Sequence, residues 1–250
     1  MHAGSIPAEA STGSPKRQDD PAGLPATTGQ ASMTADFTLQ RTKMVDGQLR
    51  TTDVTHVPLL DAMLSIPRQD YVPARRRELA YIDEDIEVAA GRFIMEPSPF
   101  AKLVQLARIG KGDYVLDVGC ATGYSAAVLS RLSDSVVALE SDPQLAQLAA
   151  ETLSRHGHDN VAVVEGPLQD GWARQAPYDA IVVEGAVDSV PDALLAQLRD
   201  GGRLVAVVGS GNAGRATLFV REAGLVSQRP YFNAAIRPLA AFARSAAFHF

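Results

Sequence analysis

The chain has 250 residues, 46% of them hydrophobic and 21% charged, which is typical of a globular protein with one large core. Its formal net charge of −6 argues against a partner such as nucleic acid or an anionic membrane, which would need a basic face. No apolar run approaches the roughly 20 residues of a membrane span, and no apolar segment near the start indicates a secretion signal. The single cysteine, Cys120, excludes an intramolecular disulfide, so we expect a cytoplasmic protein.

The first third of the chain changes character at Phe37. Residues 1–36 are dominated by Ala, Gly, Pro, Ser and Thr and contain no aromatic residue, which predicts a disordered tail. Helical periodicity then predicts two helices, with Asp53 or Thr55 as the N-cap of the second and Pro58 in its first turn. The helices predicted in this part of the chain, including a short basic one and one that starts at Ser98-Pro99, cover Leu39–Leu49, Val57–Ile66, Ala74–Ala80 and Phe100–Ile109. An irregular stretch, Gly91–Pro97, precedes the last of them.

From Tyr114 onward, predicted strands and helices alternate. Short valine-rich runs predict five buried strands, at Tyr114–Val118, Val136–Leu139, Val161–Val164, Tyr178–Val183 and Leu204–Val208. The helices between them are predicted at Tyr124–Leu132, from Pro143 (capped by Asp142) to about His156, and at Pro191–Leu198, ended by Gly201-Gly202. Three further segments, Thr217–Arg221, Leu225–Tyr231 and a final apolar stretch, are predicted as antiparallel strands. The pattern predicts an α/β fold with a doubly wound, mostly parallel sheet and an N-terminal helical cap.

The turn after the first of these strands carries the strongest functional signal. Gly119 and Gly123 precede a predicted helix, so backbone N–H groups at the helix start would face a ligand. A tight turn without a ligand is one explanation. A dinucleotide site is another, but the G-x-G-x-x-G spacing fails because Ala121 stands at the middle position. A third ligand is S-adenosylmethionine, whose ammonium would suit Asp117, two residues before the first glycine.

A second acidic residue strengthens the case for a nucleoside. Glu140 ends the next strand, about 20 residues past the turn, where doubly wound folds place the carboxylate that accepts from both ribose hydroxyls. Among nucleoside ligands, the methyl donor is favoured over a nicotinamide nucleotide because a glycine of the dinucleotide fingerprint is missing and Asp117 precedes the turn. Cys120 lies inside the turn with no histidine near it in sequence, which favours a loop-filling role over a nucleophile. The histidines are scattered, and the one close pair, His156 and His158, lacks a zinc spacing, so we expect no metal.

At this point the chain resembles the protein-L-isoaspartate O-methyltransferases, which methylate the α-carboxylate of isoaspartyl residues in damaged proteins. The resemblance covers about residues 41–240. Its markers stand in the family's order: Met44–Arg50, Ile66–Arg68, Tyr71–Pro73, Leu79–Tyr81, Val115–Tyr124, Leu139-Glu140, Gly171-Trp172, Ala176–Asp179, Pro191–Leu195 and Leu198–Val205.

The resemblance implies a Rossmann-like methyltransferase fold and S-adenosyl-L-methionine as the cofactor. It divides the chain into the tail, a helical cap with an acceptor-site loop (37–97) and a methyltransferase domain (98–250). The acceptor-site loop and the residue after it comprise Phe93, Met95, Glu96, Pro97 and Ser98. The implied cofactor-binding residues are Asp117, Gly119, Cys120, Ala121, Gly123, Tyr124, Glu140, Ser141, Pro167 and Leu168.

Two departures from the family's pattern concern the acceptor and the adenine. Phe93 stands where the family has a threonine and Met95 where it has a serine, so two hydroxyls at the acceptor site are absent. Glu96 adds a negative charge near a site for a carboxylate, which is repulsive unless a cation such as Arg92 pairs with it. After the third strand, Gly166-Pro167-Leu168 stands where the family has G-D-G, so the aspartate associated with the adenine amino group is absent, at a cost of about 1 kcal/mol or somewhat more. The backbone of Leu168 could still serve the adenine.

These observations leave four functions open. The first is isoaspartyl carboxyl methylation, with isoaspartyl proteins or peptides as partners and neither nucleic acid nor membrane involved. Methyl transfer to a carboxylate that is already ionised at pH 7 needs no general base, so no catalytic residue is singled out. The others are a methyltransferase with another acceptor, a cofactor-binding protein without transfer activity and, most remotely, a nicotinamide oxidoreductase. Ser98 is either a substitute hydroxyl at the acceptor site or the cap of the following helix.

Overall fold

The computed structural model describes residues 29–243, with side chains from Phe37 onward. The helices are α1 (Gly29–Met44), α2 (Val57–Ser65), α3 (Pro97–Ala107), α4 (Tyr124–Ser130), α5 (Pro143–Arg155) and α6 (Asp192–Ala196). The strands are β1 (Ile86–Ala89), β2 (Arg92–Ile94), β3 (Tyr114–Val118), β4 (Ser135–Glu140), β5 (Val161–Glu165), β6 (Tyr178–Val187), β7 (Leu198–Val208), β8 (Arg215–Glu222) and β9 (Leu225–Asn233). Most of the segment predicted as a tail, residues 1–28, lies outside the described residues, while residues 29–36 are part of α1.

Seven strands form one sheet in the order β5-β4-β3-β6-β7-β8-β9. The first five of these run parallel, and β8 and β9 are antiparallel. The predicted fold class, a mostly parallel doubly wound sheet with antiparallel C-terminal strands and a helical cap, is confirmed. The strand order reverses between β3 and β6, and in such sheets the ligand crevice lies at the carboxyl ends of the strands at that point.

The sheet separates two apolar cores. One face packs against the N-terminal cap and helices α3 and α4, and its core combines cap residues such as Met63 and Tyr71 with sheet residues such as Val115 and Val182. The other face buries Leu116, among others. The cap and the sheet thus pack around a common core, which continues across the boundary at residue 97 between the cap and the methyltransferase domain.

Local chemistry explains why several predicted boundaries are right. Asp142 caps α5, since its Oδ1 accepts hydrogen bonds from the backbone N–H groups of Gln144 and Leu145 at 2.8 and 3.3 Å. Pro143 occupies the first turn, where its missing N–H has no consequence. Gly157 follows the helix with a φ of +70°, as expected for a helix stop.

The predicted cap of α2 is wrong. Neither Asp53 nor Thr55 caps this helix, whose N-cap is His56 with no side-chain hydrogen bond. Instead, Oε1 of Gln105 on α3 accepts from the backbone N–H groups of Thr55 and His56 at 2.7 and 2.9 Å. The entry to α2 is therefore satisfied by a distant residue, which a local pattern does not reveal. Pro58 does lie in the first turn, as predicted.

Three further predictions are corrected by the structure. Gly91–Pro97 is not irregular throughout, since β2 lies within it and pairs with β1 as an antiparallel hairpin. Gly201-Gly202 lies inside β7 instead of ending a helix; a Cβ on Gly202 would come within 3.0 Å of the Tyr178 carbonyl oxygen on β6. The final apolar stretch forms no third antiparallel strand within the described residues. Its only ladder contact there is a parallel bridge from Pro238 to Ala186, followed by a 3-10 turn.

Candidate active site

A cavity opens at the carboxyl ends of β3 and β6, where the strand order reverses. It lies between the cofactor turn, which we define as residues 119–123, and the β1–β2 hairpin of the cap. The cavity is lined mostly by apolar groups, together with the polar side chains of Ser125 and Glu184. Its lining residues are Phe93, Ile94, Met95, Phe100, Gly119, Cys120, Ala121, Tyr124, Ser125 and Glu184. The structure thus brings the predicted cofactor turn and part of the predicted acceptor-site loop to one place.

The cofactor turn has the backbone that its glycines indicated. Gly119 and Gly123 have φ angles of +88° and +93°, and Ala121 adopts +50°. A Cβ on Gly123 would approach Leu153 of α5 to 3.1 Å, so this glycine also allows close packing of the turn on α5. The turn amides are already used, because Gly119 and Cys120 both donate to the Leu139 carbonyl oxygen, at 2.8 and 3.2 Å. These two N–H groups are therefore engaged by β4 and do not face the cavity as free donors.

Glu140 is fully buried at the end of β4 and is surrounded by donors. Its Oε2 accepts from the backbone N–H of Ala121 at 2.8 Å, and its Oε1 accepts from those of Ser141 and Asp142 at 2.7 and 3.0 Å. Arg92 of β2 reaches both oxygens, with Nη1–Oε1 at 2.5 Å and Nη2–Oε2 at 2.7 Å. This bidentate ion pair joins the hairpin to the carboxylate predicted to bind ribose.

Two other carboxylates lie on the cavity side of the sheet with unused acceptor capacity. Asp117 accepts a hydrogen bond from the Ser125 hydroxyl at 2.6 Å, but its Oδ1 is buried without a partner. Glu184, near the end of β6, also has a buried Oε1 without a partner. Burial, and repulsion from Glu140, raise the pKa of Asp117. Burial and the charge of Asp117 raise the pKa of Glu184 well above its ordinary value.

The acceptor side of the cavity is apolar and rests on a buried arginine. Phe93 and Met95 line the cavity, as the alignment with the family's acceptor loop indicated. Arg68 is fully buried behind them and donates to the backbone oxygens of Met95 and Ala80, each at 2.8 Å. Its guanidinium carbon lies 4.6 Å from the centre of the Tyr124 ring. Arg68 therefore fixes the backbone of the acceptor-site loop against α4.

Glu96 is not paired with Arg92, so that part of the prediction is wrong. Arg92 is engaged by Glu140, and Glu96 lies in a separate surface pocket with Glu84 and Asp85. Burial and these neighbouring carboxylates, Asp85 foremost, raise the pKa of Glu96 to about 7. Asp85 supports the loop through its backbone, since its Oδ1 accepts from the Glu96 N–H at 2.9 Å. The surface pocket that Glu96 lines is therefore rich in carboxylates and is distinct from the cavity lined by Phe93 and Met95.

The structure decides against the capping role of Ser98. Glu96 is the N-cap of α3 and Pro97 occupies its first turn, so Ser98 lies within the helix. Its hydroxyl lies 2.9 Å from that of Thr52 in the cap, and the Ser98 side chain is buried. Ser98 is absent from the cavity lining, unlike Phe93.

The remaining predicted cofactor residues are distributed along the same sheet edge. Ser141 directly follows Glu140 and is exposed, while Tyr124 lines the cavity and its buried hydroxyl interacts with the Arg68 guanidinium. Pro167 precedes a 3-10 turn beyond β5, and the Leu168 side chain packs into the core on the opposite face of the sheet. Cys120 is buried, and burial foremost raises its pKa well above the usual range, which agrees with a loop-filling role.

Glu184 is the main residue that the sequence argument missed. It lies one position past Val183, the register partner of Val118 on β3. The crevice rule would have marked it, because Glu184 directly follows Val183, the predicted end of the fourth strand; the observed strand continues to Val187. Arg92 was named only as a partner for Glu96. Its pairing with Glu140 across 48 residues has no local signal.

These residues fit S-adenosylmethionine in two respects. Asp117 and Glu184 offer buried, unpaired carboxylate oxygens to a cation, and the donor molecule carries an ammonium. Glu140 has the position and the acceptor capacity for ribose hydroxyls, with the Arg92 guanidinium now at its two oxygens. Ribose binding at Glu140 would require Arg92 to withdraw. Within residues 29–243, no group of three or more His, Cys, Asp or Glu side chains is arranged to hold a metal ion.

The fold and the site define a Rossmann-like, S-adenosylmethionine-dependent methyltransferase. Comparison with known proteins gives the particular family. A sequence model of the protein-L-isoaspartate(D-aspartate) O-methyltransferase family matches residues 40–241. The chain belongs to this family, and the predicted resemblance is confirmed.

Individual relatives agree. The protein-L-isoaspartate O-methyltransferase of Koribacter versatilis (strain Ellin345) is 41% identical over 174 residues, which are 70% of this chain and 78% of the relative. That of Methanoculleus marisnigri (strain ATCC 35101 / DSM 1498 / JR1) is 36% identical over 200 residues, covering 80% and 91%.

Solved structures are similar as well. One, named protein-L-isoaspartate O-methyltransferase, superposes with a TM-score of 0.71 at 26% identity, covering 80% of this chain and slightly under two thirds (66%) of that one. A Plasmodium falciparum structure described as a β-aspartate methyltransferase in complex with S-adenosyl-L-homocysteine has a TM-score of 0.69 at 19% identity, covering 81% and 98%. This last likeness concerns the fold alone.

Among the described residues, no helix has the length and apolar character needed to cross a bilayer.

Proposed function

We propose that the protein transfers a methyl group from S-adenosylmethionine to the α-carboxylate of L-isoaspartyl residues in damaged proteins or peptides. The observation that carries the proposal is the family match over residues 40–241, which spans both the cofactor turn and the acceptor-site loop. The acidic residues at the ends of β3 and β4, Asp117 and Glu140, support it because they suit the donor's ammonium and ribose.

S-adenosylmethionine supplies an activated methyl group on a sulfonium. The residues of this chain have to hold the donor and the acceptor in line and keep water away from them. Phe93, Met95 and Phe100 provide the apolar wall of the cavity, which serves the second task. Because the acceptor carboxylate is already ionised at neutral pH, no side chain has to remove a proton from it.

Another acceptor is the second candidate function. It is favoured by Phe93 and Met95, which stand where the family has hydroxyl side chains, and by Glu96, whose carboxylate lies among other acids. The variant Phe93→Thr/Met95→Ser separates the two functions, since it restores both hydroxyls. If isoaspartyl residues are the acceptor, the variant retains or increases transfer to them. If the acceptor is different, the variant reduces transfer to that acceptor.

The direct test uses labelled S-adenosylmethionine with a peptide that contains one isoaspartyl residue and, beside it, the same peptide with a normal aspartyl residue. Transfer to the isoaspartyl peptide alone is expected. For the Phe93→Thr/Met95→Ser variant, the control is Glu222→Gln at the exposed end of β8, which should transfer methyl groups like the natural protein. Equal labelling of both peptides, or labelling of neither while the cofactor binds, would count against the proposal.

We propose a cytoplasmic location and isoaspartyl proteins or peptides as partners, without nucleic acid or membrane. The cytoplasmic location is supported by the single, buried thiol of Cys120, which requires no oxidising compartment. The net charge of −6 supports the absence of a nucleic-acid partner.

A further inference from the structure

Glu184 is a buried carboxylate that the family assignment does not use. It lies on β6, directly beside the cofactor turn, because Val183 is the register partner of Val118 and Gly119 follows Val118. Glu184 is 8% exposed and lines the cavity together with Ser125. Within the described part of the chain, none of the ion pairs includes Glu184, and its Oε1 has no hydrogen-bond partner.

Asp117 and Glu184 project to the same side of the sheet. Asp117 is the register partner of Val182 on β6, whose pairing with β7 is irregular between Val182 and Ala186. Glu184 lines the cavity together with Ser125, and the Ser125 hydroxyl donates to Asp117, so the two carboxylates lie on the same side of the sheet. The two carboxylates interact electrostatically, and each has one buried oxygen without a partner. Two acids in this position cannot both ionise without a cation between them or near them.

The protein's own cations do not fill that role. Arg68 interacts electrostatically with Glu184 but forms no ion pair with it; its guanidinium donates to two backbone oxygens, lies over the Tyr124 ring and leaves Nη1 without a hydrogen-bond partner. Arg92 is bound in bidentate fashion by Glu140. A ligand can place a positive charge directly at the two carboxylates, and S-adenosylmethionine carries two such charges, its sulfonium and, at neutral pH, its ammonium.

We propose that Glu184 and Asp117 together bind the ammonium of the methyl donor, as a pair of carboxylates on adjacent strands. The inference rests on the cofactor assigned above and not on the identity of the acceptor. It assigns a cofactor-binding role to Glu184, which no sequence motif marked. Asp117 alone would satisfy part of the ammonium, which has three N–H donors; Glu184 provides a second charged acceptor.

The pair makes cofactor binding dependent on pH. The charged and titratable groups that act on Glu184 are Asp117 on β3, Arg68 after α2 and the Cys120 thiol in the cofactor turn; Glu140 acts in addition on Asp117. Burial favours the protonated acids when no ligand is present, and an ammonium favours the ionised acids. Binding of a ligand with an ammonium should therefore release protons, and affinity should rise with pH until both acids are ionised.

The test compares two ligands on the full chain by titration calorimetry. S-adenosylhomocysteine carries the amino-acid end, and 5′-methylthioadenosine has the same adenosine and a thioether but lacks that end. Glu184→Gln should weaken S-adenosylhomocysteine about 10- to 100-fold, the effect of losing a charged hydrogen bond, and leave methylthioadenosine within about twofold. Glu222→Gln, exposed and distant, should change neither affinity.

Proton release by the natural protein gives a second measurement that needs no variant. Titrations in buffers of different ionisation enthalpy, near pH 6.5, should show proton release with S-adenosylhomocysteine and much less with methylthioadenosine. The inference would be overturned if Glu184→Gln lost affinity equally for both ligands or lost none. It would also be overturned if both ligands released the same number of protons on binding to the natural protein. If the natural protein binds neither ligand, the cofactor assignment falls as well. Failure to methylate an isoaspartyl peptide, with these binding results intact, would refute only the proposed acceptor.

Discussion

Replacing Glu140 should reduce both the stability of the fold and the affinity for the cofactor. The carboxylate is fully buried and accepts hydrogen bonds from three backbone N–H groups and from both terminal nitrogens of Arg92. Removing one partner of a buried ion pair typically costs about 3–5 kcal/mol, because the other charge is left unpaired. The Arg92 side chain is 13% exposed, so water reaches it in part and we expect a loss near 3 kcal/mol for Glu140→Ala.

The assay is urea unfolding at pH 7, with Glu222→Ala as the exposed control at the end of β8. S-adenosylhomocysteine affinity is measured in parallel. Glu140→Ala should weaken it by roughly 10- to 100-fold, which corresponds to about 1.5–3 kcal/mol for lost ribose contacts. Arg92→Ala should also destabilise the free protein, but it should increase the affinity for S-adenosylhomocysteine, because the ribose then no longer competes with a guanidinium for Glu140.

Two results would refute this reasoning. An unfolding free energy for Glu140→Ala within about 1 kcal/mol of the natural protein would mean that the buried ion pair contributes little. Weaker cofactor binding in Arg92→Ala would mean that Arg92 stays at the site when the cofactor is bound. A double-mutant cycle over Arg92 and Glu140 then measures the coupling between the two side chains directly.

Two further predictions concern Glu96 and the cofactor turn. The folded pKa of Glu96, about 7, lies above its ordinary 4.5, so the folded state binds more protons between these values and loses stability as pH rises through them. Glu96→Gln should therefore stabilise the fold at pH 8, by about 1 kcal/mol after allowance for solvent screening, and should change stability little at pH 4. Thermal unfolding at the two pH values measures both effects. An equal effect at pH 4 and pH 8 would contradict the prediction. Gly123→Ala should destabilise by about 2–4 kcal/mol in urea, from the φ of +93° and from contact with Leu153, whereas the control Gly157→Ala, with open space around it, should lose only about 1–2 kcal/mol. Equal losses in the two glycine variants would show that packing on α5 contributes nothing.

The elements that sequence reasoning located well are those whose signals are local. β3 and the start of α5 are defined by a valine-rich run, an Asp N-cap and a following proline, and each of these acts within a few residues. The candidate site residues Asp117 and Glu140 follow from one rule, that acids at the ends of adjacent parallel strands meet at one edge.

The features that were missed depend on contacts between distant segments. The caps of α2 are supplied by Gln105, about 50 residues away. Arg92 pairs with Glu140 because the β1–β2 hairpin folds over the cofactor turn, and the hairpin itself carries no conspicuous turn signal apart from Gly91. Glu184 lies within β6, which continues to Val187 with an irregular pairing between Val182 and Ala186, whereas the strand was predicted to end at Val183.

The last strand of the sheet has a consequence for solubility. Nearly every residue of β9 is exposed, including Leu225 and Tyr231, and within residues 29–243 no further strand covers its outer edge. Such an edge offers a row of backbone groups to a second chain. Pro230 removes one N–H donor from β9, and the adjacent Arg229 adds a charge over the Tyr231 ring. Proline and charged side chains are typical of sheet edges and oppose edge-to-edge pairing, and β9, the strand farthest from the cofactor turn in the sheet order, carries both.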